Sequence, residues 1–284
     1  MEKYKMKKLL ALGLLISITS IISIILHDYF TGDPTYPQSA IQTKLYSNIL
    51  GQERELIIHL PKNYASTKKY PIMYVLDGSS QSIHIANKFD ILSSVGYTPE
   101  TIIVGIPNMS EENRQRNLTP PYIRMDIGKK DSPLGEADKF LSFMESELFP
   151  FIENTYSASP MRLFSGYSRG GLLVMYSLLY KPDLFQARFC YSSPFWREDA
   201  ILVSKVSDFL SSKDTLSTFL YMSVGEKETE NMKNGFDRMT RTLKEKAPNG
   251  LIWYSHYTKN ADHQDNAELS ATIGIGKWSE YIKD

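Results

Sequence analysis

A single cysteine, Cys190, stands in the whole chain of 284 residues. It cannot close a disulfide within the chain, and its isolation excludes a cysteine-rich zinc module. Basic and acidic side chains balance at 32 each. With no net charge the chain lacks the clustered Lys and Arg excess on which nucleic-acid binding depends, so no nucleic-acid partner is expected. There is no H-x-x-x-H pair either, so no metal site and no cofactor is expected. Internal repeats are absent, and no low-complexity tract follows the leader. Charged residues at 23% and aromatics at 12% exclude a mainly disordered chain.

What is present begins with a leader. Lys3, Lys5, Lys7 and Lys8 precede Leu9 to Leu26, an 18-residue run without a charge. As a helix that run would span roughly 27 Å, just enough for the hydrocarbon core of a bilayer. Lysines in front predict an N-terminus in the cytoplasm and a remainder across the membrane. The run is longer than the usual signal-peptide core and ends without a small-x-small site. Residues 1–30 are therefore expected to be an uncleaved membrane anchor, with a cleaved signal as the alternative. Either way the protein is expected on the extracytoplasmic (periplasmic) side. Removing those residues leaves 28 basic against 30 acidic groups, which argues against electrostatic attachment to an anionic membrane surface.

Residues 31–40, with the turn-forming Gly32-Asp33-Pro34-Thr35-Tyr36-Pro37, read as a linker. Residues 41–284 read as one α/β domain. Strand-like runs occur at 55–60, 72–76, 101–106, 162–165, 187–191, 219–224 and 251–254, several of them continuously apolar, as interior parallel strands are. Between them lie helical stripes. Ala137, Leu141, Met144, Leu148 and Ile152 form one; Leu172, Leu173, Tyr176 and Leu179 a second; Met232, Phe236, Met239 and Leu243 a third. Alternating strands and helices predict βαβ units and a mostly parallel sheet.

The chemistry concentrates in Gly166-Tyr167-Ser168-Arg169-Gly170, a G-x-S-x-G placed between an apolar strand and an amphipathic helix. A serine nucleophile benefits from such a sharp strand-to-helix turn, which holds its hydroxyl clear of the backbone. The helix start supplies unpaired N–H groups where an oxyanion develops. The alternative is a glycine-rich turn needed only for close packing.

A serine needs a base, and this architecture orders the triad as Ser, acid, His. Only His256 and His263 follow Ser168. His256 lies within an alternating strand, whereas His263 lies in the polar loop after it, so His263 is the expected base. The acid should follow the preceding strand, where Glu226, Glu228 and Glu230 crowd together; Glu228 is preferred and Glu226 is the alternative. Asp262 is a poorer choice, being adjacent to the histidine. One oxyanion donor should be the amide of Arg169 and the other that of Gly78 or Ser79, in the turn after Val75-Leu76-Asp77. Asp77 reads equally as a turn former or as a brace for the site.

Taken together, several segments resemble the Putative esterase family (esterase D and enterochelin esterase-like) of α/β-hydrolases. They are Tyr74-Val75-Leu76-Asp77-Gly78, Val104-Gly105-Ile106-Pro107-Asn108, Arg116-Asn117-Leu118-Thr119-Pro120 and Gly166 to Gly171. Pro182 to Ala187, Ser192-Ser193-Pro194-Phe195-Trp196 and Gly225-x-x-Glu228 continue the match over roughly residues 50–265. The chain departs from the family's pattern at Asn117, often Asp there, and at Gln264, often Gly. The resemblance implies an α/β-hydrolase fold with helices on both faces of the sheet. It implies nucleophile, acid and base roles for Ser168, Glu228 and His263. The expected activity is cleavage of a small-molecule carboxylic ester through an acyl-enzyme, siderophore esters among them. Tyr167 and Trp196 are expected to border the substrate. Arg116, with Arg114 nearby, is expected to meet an anionic substrate, as the resemblance hints, unless both are solvated loop charges. Acyl transfer by the same triad is one alternative. A membrane-tethered binding protein on a hydrolase scaffold is another.

Overall fold

A computed structural model describes residues 40–283. The expected anchor or signal at 1–30, and the linker up to residue 39, lie outside the described residues. Among the described residues no helix is long and apolar enough to cross a membrane.

Eight strands form one sheet: β1 (Ile41–Ser47), β2 (Gln52–His59), β3 (Tyr70–Leu76), β4 (Ile102–Ile106), β5 (Ala158–Tyr167), β6 (Ala187–Tyr191), β7 (Thr215–Gly225) and β8 (Asn249–Thr258). Their order across the sheet is β1-β2-β4-β3-β5-β6-β7-β8. The first two strands run antiparallel to their neighbours and the other six run parallel. This is the mixed, mostly parallel sheet of an α/β-hydrolase-like fold. Residue type follows position. β4 and β6 are buried throughout, whereas β8, at one edge, is mostly exposed or half-buried, with only Leu251 and Thr258 buried. β1, at the other edge, was not visible as a strand because Gln42, Lys44 and Tyr46 interrupt its apolar residues.

Helices pack on both faces: α1 (Gly78–Ser94), α2 (Glu111–Leu118), α3 (Ala137–Phe143), α4 (Phe149–Thr155), α5 (Arg169–Tyr180), α6 (Arg197–Ser211), α7 (Glu230–Lys246) and α8 (Asn266–Tyr281). The stripe expected as one helix from Ala137 to Ile152 is buried as its spacing predicts, but a π-helical turn, Met144–Leu148, joins α3 to α4. Pro150 accounts for the turn. It has no N–H to give the preceding turn, and its ring would clash with the carbonyl four residues back. Met232, Phe236, Met239 and Leu243 of α7 are buried together, as their periodicity requires.

The parallel strands all end on one edge. Asp77 follows β3, Ser168 follows β5 and Ser192 follows β6, while Glu228 and His263 lie in the turns after β7 and β8. A parallel sheet gathers reactive groups at its carboxyl edge in this way.

Candidate active site

Ser168 caps α5 with φ 53° and ψ −120°, a conformation an L-residue adopts at a cost of about 1–3 kcal/mol. Its amide donates to the Tyr191 carbonyl at 2.8 Å, which ties the turn to the end of β6. Gly166 is needed for close approach, since a Cβ there would lie 2.4 Å from the Gly170 carbonyl. With the turn so pinned, the Ser168 hydroxyl stands 3.0 Å from His263 Nε2. His263 Nδ1 lies 2.8 Å from Glu228 Oε2.

Glu228 is buried, and two donors meet its other oxygen. The Ser192 hydroxyl donates to Oε1 at 2.6 Å and the Gly225 amide at 2.9 Å. Burial alone would raise its pKa, but the hydrogen bonds from His263, Ser192 and Gly225 outweigh it and hold the carboxyl below the ordinary value of 4.5. A carboxylate kept ionised there fixes the histidine with a proton on Nδ1 and a free lone pair on Nε2, facing the serine.

The structure sorts the other candidates. Glu226 is exposed and accepts from the Asn260 amide at 2.9 Å, away from the imidazole. Asp262 turns its carboxylate onto the Gln264 amide. His256 stays in β8, paired in register with Ser223. Tyr167 donates its hydroxyl to the His263 main-chain carbonyl at 2.6 Å. Gly78, Ser79 and Arg169 occupy the first turns of α1 and α5, whose amides have no partner within the helix. The two turns touch, because a Cβ at Gly170 would lie 3.4 Å from Leu76 and 3.5 Å from an Asp77 oxygen.

Asp77 acts as a brace. It accepts Arg114 Nε at 2.7 Å and Nη2 at 3.0 Å, and it also takes a hydrogen bond from Asn108. Two cavities flank the serine. One of about 210 Å³ includes Ser168, Arg169, Trp196 and Arg197 in its wall; one of about 440 Å³ includes Asp77, Ser79 and Tyr167. Arg114 borders both.

Arg116 does not join them, contrary to the expectation for it. It pairs with Glu112 along the outside of α2. Residues two positions apart on a helix differ by about 200° in direction, so Arg114 and Arg116 cannot face the same cleft. Phe195, beside Trp196, is buried in the core. Sequence reasoning missed Arg197 and Ser192, although both lie in or beside the Ser-Ser-Pro-Phe-Trp segment. It also missed Asn266, which read only as polar loop.

Sheet order, strand-end turn and Ser–His–carboxylate geometry define an α/β-hydrolase-like protein. The chain belongs to the Putative esterase family, whose model matches residues 47–281. It is 28% identical over 191 residues to the ferri-bacillibactin esterase BesA of Bacillus subtilis, covering 61% of this chain and 65% of that protein. The BES protein from Bacillus cereus superposes with a TM-score of 0.75 at 25% identity, covering 84% of this chain and 96% of that one. An IroE-like serine hydrolase from Shewanella oneidensis superposes with a TM-score of 0.72 at 28% identity, covering 86% and 79%.

Proposed function

We propose that this protein is a serine esterase that cleaves small anionic carboxylic esters of the siderophore kind. The observation that carries the reading is the unbroken line from Ser168 through His263 to Glu228, with steps of 3.0 and 2.8 Å. In this mechanism His263 Nε2 takes the hydroxyl proton as Ser168 Oγ attacks the ester carbonyl. Glu228 stabilises the imidazolium, and amides of Arg169 with Gly78 or Ser79 receive the developing oxyanion. The alcohol leaves with the proton from His263. Water, deprotonated by the same imidazole, then releases the acid.

The anionic substrate has its own support. Arg169 donates to the Thr119 hydroxyl and the Met125 carbonyl, and Arg197 to the carbonyls of Arg124 and Met125. Neither positive charge is spent on a carboxylate at hydrogen-bond distance, and both border the cavity that holds Ser168, with Asp126 the one acid on that wall. Burial, followed by repulsion from Arg197 and Arg114, pushes the Arg169 guanidinium down to about 10, the response of a site short of negative charge. Relatives named as ferri-bacillibactin and triacetylfusarinine C esterases support a siderophore ester as the substrate.

The leader supports export and tethering to the membrane, which fractionation of cells expressing the full chain would test. The activity is tested with p-nitrophenyl esters, feruloyl esters and ferric siderophores on wild type and Ser168→Ala, with a fluorophosphonate probe as the label. Turnover and labelling lost together in Ser168→Ala are expected. A wild type that neither labels nor turns over any ester favours a binding protein on this scaffold. Ester exchange onto added alcohols in preference to water favours acyl transfer.

A further inference from the structure

Behind Glu228 lies a closed polar cluster that the proposed chemistry does not itself use. Asn266, the first residue of α8, is fully buried. Its Nδ2 donates to Ser192 Oγ at 2.8 Å and to Ser223 Oγ at 3.1 Å, and its Oδ1 accepts from the Thr258 hydroxyl. Ser223 in turn meets Ser270 at 2.7 Å. One amide thus joins the ends of β6, β7 and β8, the three strands whose following turns carry Ser192, Glu228 and His263.

The direction of each bond can be worked out. Glu228 Oε1 can only accept, so Ser192 must give it its single proton. Ser192 Oγ is then left as an acceptor toward Asn266, which requires the amide nitrogen, not the oxygen, on that side. The other oxygen-facing contact agrees, because Thr258 has a proton to give Oδ1. Both Nδ2 protons are used, and no polar atom of the Asn266 side chain is left without a partner. Ser192 itself holds φ 49°, so its hydroxyl is aimed by the backbone as well as by Asn266.

We propose that Ser192 and Asn266 are positioning residues for the acid of the triad: Asn266 orients the Ser192 hydroxyl, and that hydroxyl fixes Glu228 so that its second oxygen meets His263. The proposal deepens the esterase reading and rests on it. Other ionisable groups bear on the acid–base pair. Tyr167 approaches from β5, the Asp77–Arg114 pair lies beyond it, Asp262 adjoins the histidine, and Glu226 and Lys227 share the turn of Glu228. None of them touches Oε1, whose side-chain donor is Ser192.

Two substitutions separate orientation from packing. Ser192→Gly removes the hydroxyl where a glycine keeps the positive φ without strain. Asn266→Asp keeps the shape but replaces two donors by an acceptor, so the one Ser192 proton faces two carboxylates. Both raise the proton affinity of the His263–Glu228 pair, because a donor to the ionised form is lost.

With p-nitrophenyl acetate and the full chain, Ser192→Gly is expected to lower kcat about tenfold with KM little changed. It should also move the acid limb of kcat/KM upward by about half a pH unit. Asn266→Asp should do more of both. A second readout needs no turnover: the low-field Nδ1 proton resonance of His263, assigned by its loss in His263→Gln, should titrate at higher pH in both variants.

If wild type cleaves no ester, the esterase reading fails while the titration still tests the positioning. The proposal is overturned if folded Ser192→Gly keeps the wild-type kcat within twofold and the wild-type titration. It is equally overturned if activity falls only in proportion to folded protein with the acid limb unmoved. Should Asn266→Asp not fold, Ser192→Gly decides alone.

Discussion

Tyr167, the residue before the candidate nucleophile, donates its hydroxyl to the main-chain carbonyl of His263 at 2.6 Å. The two rings also pack with centroids 5.0 Å apart. The strand that presents the serine therefore also restrains the loop that presents the base. Tyr167→Phe keeps the ring and deletes one hydrogen bond, worth about 0.5–1.5 kcal/mol net. We expect kcat/KM to fall about three- to tenfold, with the pH profile unmoved, since the deleted hydroxyl donates to a neutral main-chain carbonyl and to neither member of the acid–base pair's hydrogen bond. Steady-state kinetics on a p-nitrophenyl ester checks it; an undiminished rate would mean that the loop holds itself.

Glu228 and Glu226 are two residues apart and differ in what they touch. Glu228→Gln leaves the shape intact but removes the charge that stabilises the imidazolium. It also allows the amide to select the wrong histidine tautomer. A loss of about 10⁴ in kcat is expected, as for the same change in a serine protease triad. Glu226→Gln removes an exposed charge but keeps an oxygen to accept from the Asn260 amide, and should leave kcat within twofold. Comparable losses in the two variants would reopen the assignment of the acid.

Much of this was readable before the fold. The continuous apolar runs named the interior strands because burial on both faces leaves no alternative composition. The order Ser, acid, His is the order in which the strand-end turns of this architecture follow one another along the chain. β1 escaped because an edge strand needs only one apolar face and carries lysine without penalty. Arg114 and Arg116 look equivalent as residues of a loop, and only a helix turns them to opposite sides. The segment that holds Ser192 stood out, but the roles of Ser192 and Asn266 did not, since they depend on a backbone dihedral and on three strand ends meeting.

The depressed pKa of Glu228 has a consequence for stability. A carboxylate that is more acidic folded than unfolded stabilises the native state above its unfolded pKa, near 4.5, and loses that contribution as pH falls through the folded value. The native state of wild type should therefore lose, as pH falls below about 4.5, a contribution that Glu228→Gln never had. Urea midpoints at pH 7 and pH 3.5 measure this. The gap between wild type and variant should narrow at acid pH, and a gap that stays constant would show that the carboxyl is not held ionised by its partners.

Arg188 tests the scaffold apart from the chemistry. It is fully buried near the start of β6, at the opposite end of the strand from Ser192. Its guanidinium donates to the carbonyls of Ser177, Lys181, Pro182 and Phe185 and to the hydroxyls of Ser177 and Thr218. Three of those carbonyls lie at or just past the end of α5, so the cation both fills orphan acceptors and opposes the negative end of the helix dipole. A lysine has one ammonium and three protons, and it cannot reach so planar a set. Arg188→Lys should cost about 2–4 kcal/mol, as expected when buried acceptors lose their donor. For a domain of this size that is a fall in Tm of about 5–15 °C. At temperatures well below the new Tm the rate on a p-nitrophenyl ester should stay within twofold, because the strand ends that carry Ser168, Glu228 and His263 are untouched. A variant with an unaltered Tm would mean that the hydrogen bonds only replace the water they displaced, and one with full stability but lost activity would tie the far end of α5 to the nucleophile.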